Sequence, residues 1–457
     1  MKCMKSTEDA LCALAAGSGA TELRLKVKGC SDEDVALICT ALQSHATLTT
    51  LNLQGNKLGA SAAHLIAEAL KVNASLTTLE LQLNDIGSEG SRSISEALTV
   101  NVCLETLNLG SNSIRPAGGG CIAEALKANA TVTALDLHRN GLGDEGARFM
   151  SEALKANAAL TVLKLEKNAI GAAGCGYIAQ ALVANTTLTS LELQWNGFGD
   201  EGAGLVAEAV TVSTSLASLN LSGNGVGNAG AGLMSDALRA NSALTSLFLN
   251  YNKLQDAGAG LLADVLKGDS ALTTLELAHN EIGSSGARLL ACALENNATL
   301  SRLALDQNWV GREAGSLLAE AMVLCNQSLT EVSLGDTGIS VPDQQSIAIA
   351  AGRNRKPLLV LTVDCQQQDG SSGLLMMVIC RSPSGEERAT VTGMCRSTTR
   401  ISELRPLVES QTVGLQSRRL QLVLPDGRLW EELDGSALLE ELLLDPMDAA
   451  EKLLQEA

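Results

Sequence analysis

His138, Glu166 and Glu192 are the residues whose types come closest to a chemical constellation. His138 and Glu166 occur at matching points 28 residues apart, and Glu192 follows 26 residues later on the next stretch. Imidazole and carboxylate groups on neighbouring strands can hold a transition metal. Open sheet faces bring such groups together by accident, however, so the expectation is no metal and no cofactor. A nucleophile is no better supported. Cys380 and Cys395 lie in a C-terminal segment that holds no histidine, because all four histidines precede residue 280. A Cys–His pair within that segment is therefore excluded. The sequence also lacks Gly-x-x-x-x-Gly-Lys-Ser/Thr, so no phosphate-cradling loop of that kind is present. The reading is of a chain that binds rather than catalyses.

The aromatic residues point the same way. Trp, Tyr and Phe make up only 2% of the chain. Trp195, Phe248 and Tyr251 nevertheless fall within three successive repeats, at positions expected to face outward from short strands. Arg139, Lys164, Lys167, His138, Glu166 and Glu192 lie close by in the same columns. Exposed aromatics among charged neighbours are the usual anchors of a protein interface. These nine residues form the candidate protein-binding site. Trp309, in a turn, is expected to pack locally.

A strict period must position them. Asn56, Asn84, Asn112, Asn140, Asn168, Asn196, Asn224, Asn252, Asn280 and Asn308 stand 28 residues apart. A period of this size marks a solenoid of stacked supersecondary units. A clean copy runs Leu48-Thr-Thr-Leu51-Asn-Leu53-Gln-Gly-Asn56-Lys-Leu58-Gly59 and continues into an Ala/Leu-rich stretch. Leu51 and Leu53 alternate as in a strand, whereas Leu65, Ile66, Ala69 and Leu70 keep helical spacing. A strand followed by a helix in every unit predicts a parallel sheet with helices along one side. The Asn amide both donates and accepts, so stacked copies can satisfy buried backbone groups. Gly90, Gly118, Gly146, Gly174, Gly202, Gly230, Gly258 and Gly286 are expected at helix starts, where backbone freedom helps.

This unit resembles the ribonuclease-inhibitor-like class of leucine-rich repeats, and most closely the 28-residue repeats of NOD-like receptors. The resemblance implies an α/β solenoid of horseshoe form, with the parallel sheet inside and helices outside. It covers roughly residues 20–366, a solenoid over 23–366 with about 13 strands, the last at Leu358, Leu361 and Val363; the residues before it, 1–22, read as an N-terminal capping helix. The cap is expected over residues 6–16. The repeats also resemble those of Ran GTPase-activating proteins, which leaves regulation of a small GTPase as an alternative. A structural part in a ciliary or cytoskeletal assembly is another.

Beyond a polar linker at 367–373 the texture changes. Apolar runs at 374–380 and 388–394, a helical pattern through Ile401, Leu404, Leu407 and Val408, and alternation at Leu420, Leu422 and Leu424 follow in turn. Hairpin, helix, strand resembles a ubiquitin-like β-grasp over 374–444. A Ras-association or PB1 domain would read similarly. The chain ends without the Gly-Gly of a conjugated modifier, so the resemblance implies a module that docks a second protein partner. Residues 445–457 form an acidic tail. Residues 431–457 hold nine acids and one Lys, and six arginines lie between Arg396 and Arg428, so the tail is expected to fold back on that basic face.

The net charge of −18 argues against nucleic-acid and anionic-membrane binding. Scattered cysteines without Cys-x-x-Cys fit reduced thiols and a cytoplasmic site. The sequons at Asn73, Asn129, Asn185, Asn297 and Asn326 recur at one point of the repeat and read as repeat consensus rather than glycan acceptors. On its own the chain is expected to be a monomer.

Overall fold

The computed structural model describes residues 2–4, 21–25, 31–44, 46–268, 270–355, 358–367, 376–381, 387–395 and 419–423. The chain divides into two compact units, Met1–Ala348 and Ile349–Ala457.

The first unit is an α/β solenoid. Its strands β1 (Lys2–Met4) to β13 (Glu331–Ser333) form one parallel sheet in strict sequence order. From β3 (Thr50–Asn52) onward each strand is three residues long and its central residue is apolar. Registers match residue for residue, as in Thr78↔Thr106, Leu79↔Leu107 and Glu80↔Asn108. Helices follow the strands, from Asp32–Ser44 through Ala60–Val72 to Val341–Arg355. Leu51, Leu53, Leu58, Ile66 and Leu70 from one unit are all buried, so strand, turn and helix share one apolar seam. Burying each such side chain stabilises the fold by roughly 1.5–3 kcal/mol. Ala69, Ala97, Ala125, Ala153, Ala181, Ala209, Ala237, Ala293 and Ala321 are buried where helices stack.

The period is held by two asparagine ladders. In the first, the Asn140 backbone N–H donates to Asn168 Oδ1 at 2.9 Å, and the Asn168 N–H donates to Asn196 Oδ1 at 2.8 Å. Asn168 Nδ2 donates back to the Leu137 carbonyl at 2.9 Å. Thr337 takes over at the last turn, where its hydroxyl donates to the Leu334 carbonyl at 2.8 Å. The second ladder ends the helices and contains the sequons. Asn129 Nδ2 donates to the Leu98 carbonyl at 2.8 Å, while its Oδ1 accepts from the Thr131 and Val132 N–H groups. Asn73, Asn129, Asn185, Asn297 and Asn326 are all buried, so their amides are structural.

Two expectations change, the role of the helix-start glycines and the place of the last strand. The glycines at the helix starts are needed for space rather than for backbone freedom. A Cβ on Gly118 would sit 2.2 Å from Ser91 Oγ and 2.7 Å from Ile114 Cγ2, and one on Gly174 would sit 2.5 Å from Asp144 Oδ1. The Asp144 carboxylate instead accepts the Gly171 and Gly174 N–H groups across the repeat boundary. The penultimate repeat is 29 residues long, and the helix absorbs the extra residue. Gly311–Glu320 runs on as a π-helical turn, Ala321–Cys325, and the Asn326 N–H reaches five residues back to the Ala321 carbonyl. Insertion of one residue into an α-helix is accommodated in this way.

The second change concerns the strand at Leu358, Leu361 and Val363. It runs from Leu358 to Gln367 and pairs with Met376–Arg381 and Arg419–Val423, not with Glu331–Ser333. No Asn turns the chain after Val363, so the strand extends to ten residues and fills a different sheet. The first sheet still counts 13 strands, because Lys2–Met4 pairs with Glu22–Leu25 at the other end. Cys292, on the helix Ser284–Leu294, is exposed, whereas Cys39 and Cys175 are buried. Burial pushes the Cys175 thiol up to about 12.

The second unit holds a four-stranded sheet in the order β16 (Glu387–Cys395), β15 (Met376–Arg381), β14 (Leu358–Gln367), β17 (Arg419–Val423). The β14–β17 pair is parallel, and the other two pairs are antiparallel. Gln367, expected to open the linker, ends β14 instead. The rest of the linker at 368–373, the cap at 6–16, the helix through Ile401–Val408 and the tail at 445–457 lie outside the described residues.

Candidate functional site

Three columns of side chains cross the sheet face turned away from the helices, with neighbouring strands about 4.8 Å apart. The outermost column sits in the turn one residue before the ladder Asn. Its backbone is left-handed throughout. Leu83, Ser111, Arg139, Lys167, Trp195, Tyr251, His279, Gln307 and Asp336 all have φ between 52° and 60°, with Gly55 and Gly223 at 73° and 68°. The ladder fixes this turn, since the next residue's N–H must reach the following Asn. A non-glycine residue held there costs roughly 1–3 kcal/mol. The large side chains in this column are thus carried on backbone whose strain the ladder overrides.

Within this column the side chains form a continuous strip. Lys167 Nζ lies 5.4 Å from the centre of the Trp195 indole. The Trp195 and Tyr251 rings are 5.3 Å apart and tilted by 43°. Tyr251 stacks on His279 at 4.1 Å and 19°. Trp195 is 45% exposed and Tyr251 49% exposed, so both rings keep surface available to a partner. The gap between them is Gly223. A Cβ there would lie 2.5 Å from Trp195 Cδ2 and Cε3, so the indole lies down over this glycine to reach Tyr251.

The inner columns add charge. Lys164 Nζ is 3.5 Å from Glu192 Oε1 on the next strand. Gln194 Nε2 donates to Glu192 Oε2 at 2.8 Å and also to Glu166 Oε2. His138 Nδ1 is 2.7 Å from Asp136 Oδ1. That hydrogen bond raises the imidazole pKa, against a smaller lowering by burial.

The nine residues read from the sequence therefore separate into groups. Trp195, Tyr251 and Lys167 meet in the strip. Lys164, Glu192 and Glu166 meet through Gln194. His138 turns to Asp136, and Arg139 is exposed on the outer column. Phe248 is half-buried in the strand column and has no ring partner among the described residues. The metal arrangement does not form: His138 spends Nδ1 on Asp136, and an amide separates Glu166 from Glu192. Among the described residues no three His, Cys, Asp or Glu side chains are grouped as metal ligands. Trp309 is 70% exposed rather than locally packed. Sequence reasoning missed His279 and Gln194, although both stand in the same columns as Tyr251 and Glu166.

Comparison with known proteins fits this geometry. The leucine rich repeat family profile matches residues 44–67, 72–95, 100–123, 128–151, 184–207, 212–235, 240–263 and 270–291. The first unit is a leucine-rich repeat solenoid. Such repeats generally mediate protein–protein interaction. Among solved structures, an internalin (inlF) from Listeria monocytogenes is 21% identical, with 73% of this chain and 86% of that chain covered and a TM-score of 0.43. The leucine-rich repeat-containing protein LegL7 from Legionella pneumophila is 20% identical over 69% of this chain and 94% of its own, with a TM-score of 0.41. Leiomodin-1 actin-binding site 2 is 16% identical over 38% of this chain and 86% of its own, with a TM-score of 0.28. No curated protein matches the chain significantly. No helix among the described residues is long and apolar enough to cross a membrane.

Proposed function

We propose that this chain is a non-catalytic interaction scaffold. The outward face of the leucine-rich repeat sheet holds one protein partner, and a ubiquitin-like module in the second unit docks another. The repeats are of the ribonuclease-inhibitor-like, NOD-like-receptor type, and the protein works in the cytoplasm as a monomer that recruits others.

One observation carries the reading. Lys167, Trp195, Tyr251 and His279 form a strip on strained left-handed backbone, with Trp195 and Tyr251 exposed, in a chain that has few aromatics. An exposed cluster of this composition gains most from being desolvated by a protein surface. For the second unit, the support is the hairpin of Met376–Arg381 and Glu387–Cys395 and the parallel pairing of Leu358–Gln367 with Arg419–Val423.

The test compares the full-length protein with its Trp195→Ala/Phe248→Ala/Tyr251→Ala variant as baits, with bound proteins identified by mass spectrometry. The variant is expected to lose a discrete set of partners. Identical sets from the two baits would remove the sheet face from the proposal.

A further inference from the structure

Unpaired charge on the outer column specifies what a partner must bring, an assignment that rests on the interaction face proposed above. Arg139 and Lys167 hold the same position of adjacent repeats, three residues beyond the paired Asp136↔Lys164. Both have left-handed backbone, with φ of 52° and 53°. Both spend the backbone N–H on the next repeat, at 2.8 Å and 3.0 Å. This shared turn starts the two side chains in the same direction from strands about 4.8 Å apart. Among the described residues neither cation forms an ion pair, whereas Lys164 pairs with Glu192 and Arg302 with Glu331. The carboxylates nearby are engaged. Asp136 holds the His138 imidazole, and Gln194 donates to Glu166 and Glu192. The open hydrogen-bonding groups at this end of the strip are therefore positive donors. Lys167 Nζ, 5.4 Å from the centre of the indole, joins them to the aromatic end.

A carboxylate can accept from both cations at once. A phosphate would bring a second negative charge against Asp136 and Glu166, so the pair fits a carboxylate better. The net charge of −18 repels acidic segments at long range, but charges beyond about 8 Å are screened at physiological salt. Contact with the two unpaired cations then decides. The indole lies over Gly223, two and a half repeats from the midpoint of Arg139 and Lys167. At about 4.8 Å per strand that is roughly 12 Å. Four residues of extended chain span about 13 Å and bring the side chain back to the same face. We infer that Arg139 and Lys167 receive an Asp or Glu side chain from an extended segment of a protein partner, and that an apolar side chain of the same segment covers Trp195 and Tyr251.

Selection of random peptides on the immobilised full-length protein, counter-selected on its Trp195→Ala variant, tests this. Peptides that depend on Trp195 are expected to carry Asp or Glu about four residues from a large apolar residue. Exchange of that acid for its amide should weaken binding to wild-type protein about fivefold, the combined effect of two surface ion pairs. The double variant Arg139→Gln/Lys167→Gln should weaken the acidic peptide by the same factor and leave the amide peptide unchanged. Gln307 already occupies this column with φ of 54°, so the backbone accepts glutamine. Trp195-dependent peptides without acid enrichment, or with equal affinity after the amide exchange, would overturn the assignment and leave the interaction face standing. Equal loss of both peptides on the double variant would do the same. Absence of any Trp195-dependent peptide would count against both.

Discussion

Trp195 and Tyr251 stand two repeats apart in sequence, yet their rings are 5.3 Å apart, because Gly223 between them leaves the indole room to lie across the sheet. The strip is therefore built by an absence of side chain as much as by the aromatics.

Gly223→Ala isolates that role. Nine other repeats hold a non-glycine residue at the same left-handed position, so the backbone tolerates the change at a cost of roughly 1 kcal/mol. The added methyl would fall on the indole, and the ring must leave Tyr251. Near-ultraviolet circular dichroism should lose the Trp–Tyr signal while the far-ultraviolet spectrum and cooperative unfolding persist. Retention of the near-ultraviolet signal would show that Gly223 does not shape the strip.

The ladder makes a different prediction. Asn168 Oδ1 accepts the N–H groups of Asn140 and Leu142, and its Nδ2 donates to the Leu137 and Glu166 carbonyls. Asn168→Leu would strand the two buried N–H groups, because the Leu137 and Glu166 carbonyls keep other donors. At about 1–3 kcal/mol for each buried group left unsatisfied, urea unfolding should show a loss of roughly 2–6 kcal/mol. The same substitution at exposed Arg139 should change stability by less than about 0.5 kcal/mol.

His138 gives a pH dependence with a definite sign. Its hydrogen bond to Asp136 raises the folded pKa above 6.5. The stabilisation is fully present below pH 6.5 and is lost as pH rises through the raised value. Asp136→Asn should therefore cost stability at pH 5.5 more than at pH 8.5, with the His138 imidazole titrating at lower pH by NMR. A constant difference between the two pH values would assign the loss to the hydrogen bond that the His138 backbone N–H donates to Asp136 Oδ1 at 3.0 Å instead.

The thiols should separate by exposure. Cys292 and Cys325 are exposed, whereas Cys39 and Cys175 are buried, with Cys175 pushed up to about 12. An alkylating reagent at pH 8 should modify the first two in the native state and the second two only after denaturation, read by peptide mass spectrometry. Early labelling of Cys175 would mean that its repeat opens locally.

Much of this arrangement was legible in the sequence because the period is exact enough to assign columns. Leu51 and Leu53 announced the strand, Asn56 the turn, and Ala69 the helix contact. What the columns could not give was side-chain direction. His138 turning to Asp136, and Gln194 joining Glu166 to Glu192, depend on rotamers that a period does not encode. The end of the solenoid was missed for a related reason: Leu358, Leu361 and Val363 alternate as a repeat strand would, and pairing alone distinguishes a short strand of one sheet from a ten-residue strand of another. The role of Gly118 and Gly174 was misassigned because sequence cannot tell a glycine needed for φ from one needed for space.

The central claim is that the strip around Trp195 and Tyr251 is a protein-docking surface. A photo-crosslinking amino acid placed at Tyr251, with a control at exposed Leu233 on a helix, tests it most directly in cells. The account predicts a discrete crosslinked partner from position 251 that is absent from position 233 and lost with Trp195→Ala. The same products from both positions, unaffected by Trp195→Ala, would contradict it.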